Sequence, residues 1–207
     1  IAKAVTLYRD AAVAYRAYLD AYPATPLLYE MTYYLADALF YSNQYEPAAL
    51  YYEKVRDWPA ANDEYREFAA NSAIVSYQTH IEGLIEAKRL PKWALAKEIE
   101  EVEEAETTGK EKKGGIARVT PKTVPAVLLN YIGAIDAYVA RGLNRKDEPD
   151  YQGKIAYKAA EVFLRYKNYD EARKRFETIV DTYPKDLVAN YAAANIINTY
   201  WEENDIA

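Results

Sequence analysis

The sequence predicts an all-α chain, an α-solenoid of antiparallel helix pairs, and three observations lead there. Apolar residues recur at the roughly 3.6-residue period of a helix. Glycine is scarce, with 7 in 207 residues, so strands and hairpins lack their turn formers. One segment of the chain also repeats another, which is the mark of stacked units that each contact only their neighbours.

The repeat is read by laying the segment around Tyr169 over the one around Tyr45, 124 residues earlier. Ala160, Tyr169, Ala172, Phe176 and Ile179 fall on Ala36, Tyr45, Ala48, Tyr52 and Val55. Tyr183 and Pro184 close the later copy, and Pro59 closes the earlier one, displaced by one position. Ala11, Tyr15, Tyr18, Tyr22 and Pro23 repeat the second-helix half with the same gaps. Paired helices approach closely only where facing side chains are small, which assigns Ala36 to Ala48 and Ala160 to Ala172. Tyr52, Phe176, Val55 and Ile179 then fill the seams between repeats as a helix stripe. Pro23 and Pro184 end their helices, and Asn43 and Asn168 mark the turns within pairs.

In chain order, residues 1–23 read as a second-helix half repeat and 27–59 as a full repeat. Residues 63–106 read as a divergent repeat, whose first helix runs past Gln78 towards Leu90 before Pro91 restarts the chain. Ala69 to Tyr77 in that helix resembles Ala192 to Tyr200. Six glutamates between Lys97 and Glu106 lead into 107–119, a stretch without apolar periodicity that reads as an irregular loop, a solvated connector rather than a cation site. A helix is expected within 120–143, starting near Thr123. Its apolar window, Val124 to Ala140, is interrupted by Pro125, Asn130 and Asp136 and is too short to span a bilayer. Leu143 to Asp150 is a short polar connection within a single array, 150–184 is the best repeat, and 185–207 is a first-helix half repeat.

The small-small, aromatic and closing-proline pattern resembles the tetratricopeptide repeat, a helix-turn-helix unit of about 34 residues that stacks into a right-handed superhelix. The match is most specific from Gly153 to Asp186 and nearly as good from Tyr29 to Pro59. Tyr22-Pro23, Tyr33 to Ala36 and Glu171 to Phe176 also resemble large repeat proteins of Gram-negative envelopes, including gliding-motility and outer-membrane-assembly lipoproteins. That resemblance implies a periplasmic or outer-membrane-associated setting, with the cytoplasm as the alternative. The chain opens at Ile1, inside what reads as a helix, so any targeting segment is expected to lie outside it.

Composition narrows the function. A net charge of −6 without a basic cluster argues against nucleic acid, since phosphate binding needs a concentrated cationic field. Zero cysteines remove thiolate metal sites and thiol nucleophiles. The single histidine, His80, sits beside Gln78 and Glu82 and reads as a hydrogen-bonding residue rather than a catalyst. Gly114-Gly115 lacks the spacing of a phosphate loop. Carboxylates are plentiful, as in any acidic helical protein, and their number alone is no sign of a glycosidase pair. Neither an enzyme nor a cofactor is expected.

The resemblance implies a concave groove lined by first helices. Its positions carry over to Glu30, Tyr33, Asp37, Phe40 and Tyr41 in the early repeat, and to Lys154, Tyr157, Glu161, Leu164 and Arg165 in the later one. Tyr191, Asn195 and Asn198 follow in the last helix. Tyr33, Phe68, Tyr157 and Tyr191 would form a ladder of rings, a feature of binding hot spots, unless those rings pack neighbouring helices. The family's lysine and asparagine clamp for C-terminal carboxylates is replaced here by tyrosines and acids. The expected role is a protein-binding scaffold in a larger envelope complex. A carbohydrate-binding export accessory and a passive spacer are the alternatives.

Overall fold

A computed structural model describes residues 2–59, 65–96, 120–145 and 147–203, which hold eight helices and no strand. They are α1 (Ala2–Ala21), α2 (Leu28–Tyr41), α3 (Tyr45–Arg56), α4 (Arg66–Glu86), α5 (Ala126–Ala140), α6 (Tyr151–Arg165), α7 (Tyr169–Thr182) and α8 (Leu187–Glu203). The acidic stretch 98–106 and the segment 107–119 lie outside the described residues. The chain divides into two compact units, Ile1–Leu84 with Val127–Asn144, and Ile85–Ala126 with Arg145–Ala207. The fold is all-α, as the sequence predicts, and no helix among the described residues is long and apolar enough to cross a membrane.

In the first unit α1 packs on α2 and α2 on α3. In the second, α6 packs on α7 and both pack on α8. The two hairpins share one turn geometry. Asn43 N–H donates to Phe40 O and Lys167 N–H to Leu164 O, both at 2.9 Å. Gln44 N–H to Leu39 O and Asn168 N–H to Phe163 O repeat the match, again at 2.9 Å. The left-handed residue of each turn is Asn43 (φ 64) and Lys167 (φ 58), so Asn168 sits one place later, at the N-terminus of α7. Asparagine adopts that conformation readily; at Lys167 the surrounding hydrogen bonds hold it.

Ala36, Ala48, Ala160 and Ala172 are all fully buried, as close contact between paired helices requires. Tyr52, Val55, Phe176 and Ile179 are buried beside them. Phe176 belongs to the core of the second unit with Tyr157, Val188 and Ala192, its ring 5.5 Å from that of Tyr157. Gly153 lets α6 come close to the start of α8: a Cβ there would lie 2.9 Å from Asp186 Oδ2 and 3.1 Å from Val188 Cγ2.

Two helix ends differ from the sequence reading. The long helix α4 stops at Glu86, because Lys88 turns left-handed at φ 57, a conformation that lysine does not announce. The helix expected near Thr123 starts at Ala126, since Pro125 disfavours helical backbone at Val124. Upstream of it, Lys122 is tied to the α6–α7 turn. Its N–H donates to Tyr166 O, its carbonyl accepts from Asn168 Nδ2, both at 2.8 Å, and its ammonium sits 4.3 Å from the centre of the Trp93 ring.

Phe176→Ala is expected to cost about 3–5 kcal/mol, transfer and cavity terms together. Ala160→Leu is expected to cost about 1–3 kcal/mol by forcing α6 from α7. Urea denaturation followed by circular dichroism measures both.

Candidate functional site

On α2, a helical stripe places Glu30, Tyr33, Asp37, Phe40 and Tyr41 on neighbouring turns, and the residues around them are mostly aromatic. The Tyr33 ring stacks on Tyr65, with centroids 4.5 Å apart and planes 17° apart. It meets Tyr34 and Tyr52 edge-on at 6.1 and 6.0 Å. Tyr34 packs on Tyr65 at 6.2 Å and on Tyr15 of α1 at 6.1 Å. Phe40 stands edge-on to Tyr41 and Tyr45, at 5.4 and 5.3 Å. Tyr41 lies 5.0 Å from Tyr8 and remains 53% exposed. The result is two ring clusters along α2, one around Tyr33, Tyr34 and Tyr65 and one around Phe40 and Tyr41.

Two carboxylates fix this face. Glu30 Oε1 accepts from the Tyr34 hydroxyl at 2.8 Å, and Asp37 Oδ1 accepts from the Tyr52 hydroxyl. Burial raises the Asp37 carboxyl above its ordinary value, and the Tyr52 hydrogen bond opposes the rise. Burial, followed by the charge of Asp37, pushes Tyr33 up to about 12. Rings held by stacking and hydrogen bonds have little rotamer freedom left to lose when something docks on them.

In the second unit the corresponding residues have another role. Tyr157 is 1% exposed, and its hydroxyl accepts a 2.7 Å hydrogen bond from Asn195 Nδ2, itself buried. Glu161 is buried too, its Oε1 lying 3.5 Å from Arg165 Nη2. Tyr191 is half-buried and stands edge-on to Tyr157 at 6.3 Å. The expectation that Tyr157, Glu161 and Asn195 face a partner is therefore corrected: all three are buried, Tyr157 against α8 through Asn195. Lys154 pairs with Glu148 and Asp150 at 2.9 and 3.1 Å, Leu164 is half-buried and Asn198 exposed. Phe68 is 67% exposed on α4.

Tyr65 and Tyr8, which complete the face, were not legible as site residues. Tyr65 stands three residues before Phe68, the place that Glu30 and Lys154 hold in the other repeats, but the divergent repeat gives it no pattern to mark it; Tyr8 lies on the opening second-helix half, not on a first helix that lines the groove. His80 faces Glu46 of α3, Nε2 to Oε2 at 3.8 Å. A cleft of ≈ 400 Å³, lined by residues including Arg16, Thr32, Lys54 and Trp58, lies against the Leu28, Thr32 and Leu35 side of α2. Its cations are already engaged, Lys54 at 4.3 Å and Arg16 at 6.0 Å from the centre of the Tyr51 ring.

Two measurements follow from this geometry. The stabilisation due to neutral Tyr33 is fully present below the ordinary phenol pKa of about 10 and is lost as pH rises through about 12. Tyr34, Tyr52, Tyr77 and Tyr169 are raised as well, so an absorbance titration of phenolate should show one late-ionising group fewer in Tyr33→Phe than in the wild type. Tyr157→Phe takes the acceptor from buried Asn195 and should cost about 1–3 kcal/mol by thermal melting.

No protein-family model matches the chain, and no curated protein matches its sequence.

Proposed function

We propose that the chain is a non-catalytic scaffold of tetratricopeptide type, holding a segment of a partner protein against the tyrosine face of α2 as part of a bacterial envelope complex. The observation that carries the reading is the packed, half-buried set formed by Tyr33, Tyr34 and Tyr65 beside Glu30 and Asp37, with Tyr41 exposed about two turns further along α2. Large rings that are already fixed offer contact area at small entropic cost, which is why tyrosine is enriched in hot spots. Aromatic faces beside carboxylates favour a segment carrying lysine or arginine side chains, through cation–π and charge contacts. The repeat pattern supports the scaffold role, and the envelope setting rests on the wording shared with envelope repeat proteins.

Tyr33→Ala combined with Tyr41→Ala should reduce capture of partner proteins from the source cell by about tenfold or more, with helical circular dichroism unchanged. Cross-linking followed by mass spectrometry reads the result. Equal capture by the double variant and the wild type would remove α2 as the binding face.

A further inference from the structure

Helical spacing puts Leu28, Thr32 and Leu35 on the side of α2 opposite Tyr33 and Asp37, where they line the cleft of ≈ 400 Å³. The last turn of α1 and the end of α3 supply its other walls, and both helices pack on α2 within the first unit. Its volume falls within the range of small-molecule sites.

The lining divides by chemistry. Leu19, Leu28, Leu35 and Trp58 form an apolar part, and Trp58 is held in place by Tyr29, ring centroids 5.5 Å apart. Thr32 offers no free donor, since its hydroxyl already donates to Leu28 O at 2.6 Å. The rest of the cleft is dominated by two cations brought to one ring: Arg16 Cζ and Lys54 Nζ lie 6.0 and 4.3 Å from the centre of Tyr51.

Neither cation is neutralised, although the chain carries 32 acidic against 26 basic residues. Among the described residues neither Arg16 nor Lys54 forms an ion pair. Asp20 stands one turn after Arg16 on α1 and lines the cleft without pairing with it. Asp57, near Lys54 in the chain, is taken by other partners. Its Oδ1 and Oδ2 accept from Arg56 Nε and Nη2, both at 2.8 Å, and its Oδ1 accepts from Arg141 Nη2 as well. The face of a ring attracts a cation but supplies no lone pair, so the N–H donors of Arg16 and Lys54 stay open to an anion.

We infer that this cleft binds a small organic anion, an apolar ring carrying one carboxylate. The ring rests on Leu28, Leu35 and Trp58, and the carboxylate accepts hydrogen bonds from Arg16 and Lys54. A neutral apolar molecule leaves both cations unmatched, a bare inorganic anion leaves the apolar part wet, and a sugar finds few hydrogen-bonding partners over leucines. The site lies across α2 from the tyrosines of the partner reading and does not rest on it.

Titration of the 207-residue chain with naphthoate, followed by calorimetry and by backbone amide chemical shifts, tests the inference. The expected result is saturable binding of one molecule, with shifts centred on Leu19, Leu28 and Trp58. Naphthamide, which lacks the charge, and acetate, which lacks the ring, should each bind about tenfold more weakly or less. Arg16→Gln combined with Lys54→Gln should weaken naphthoate by about tenfold or more with circular dichroism unchanged, since both side chains are exposed. Tyr41→Ala should bind naphthoate as the wild type does. Absence of saturable binding, equal affinity for naphthamide, undiminished binding by the double variant, or shifts centred on another part of the chain would overturn the inference.

Discussion

Contact between alanines on paired helices is the constraint on which the rest of the structure depends. Ala36 and Ala48, and again Ala160 and Ala172, are fully buried where two helices pair, and side chains of one carbon are what a close approach of two backbones requires. That approach brings the larger residues one turn away into register, so Tyr52 and Phe176 reach the seam and are buried there. The turns follow from the same spacing. A hairpin this tight needs one left-handed residue between its helices, and both copies have it at the same place, although one is an asparagine and the other a lysine.

The two copies use their shared frame for different ends. In the second unit the frame is filled: Tyr157 and Asn195 form a buried polar pair that specifies how α6 and α8 meet. In the first unit the same places carry Tyr33 and Asp37, and the neighbouring ring is Tyr65, stacked on a Tyr33 that stays only half-buried. One pattern therefore yields a core in one place and a half-open aromatic surface in the other. The difference lies in what packs against the first helix, not in the helix itself.

That division explains how much could be read from the sequence. Helix identity and the pairing of α2 with α3 and α6 with α7 were legible because they rest on local period and on repeated small residues. The groove on α2 was legible in part, since Glu30 to Tyr41 share a helix face whatever surrounds them. The burial of Tyr157 and Asn195 was not, because it depends on contacts between residues 38 positions apart that no local pattern encodes. Lys88 and Lys167 were likewise silent: a left-handed lysine is fixed by context, not by propensity.

The tethering of Lys122 bears on how this chain can change over generations. Ala96 is buried and Lys122 is bonded by backbone to Tyr166 and Asn168, so the two flanks of 97–119 are each secured within the same compact unit. Both backbone bonds at Lys122 leave its side chain out, so that position can change over generations while the tether persists, whereas Asn168 supplies its own amide to the link.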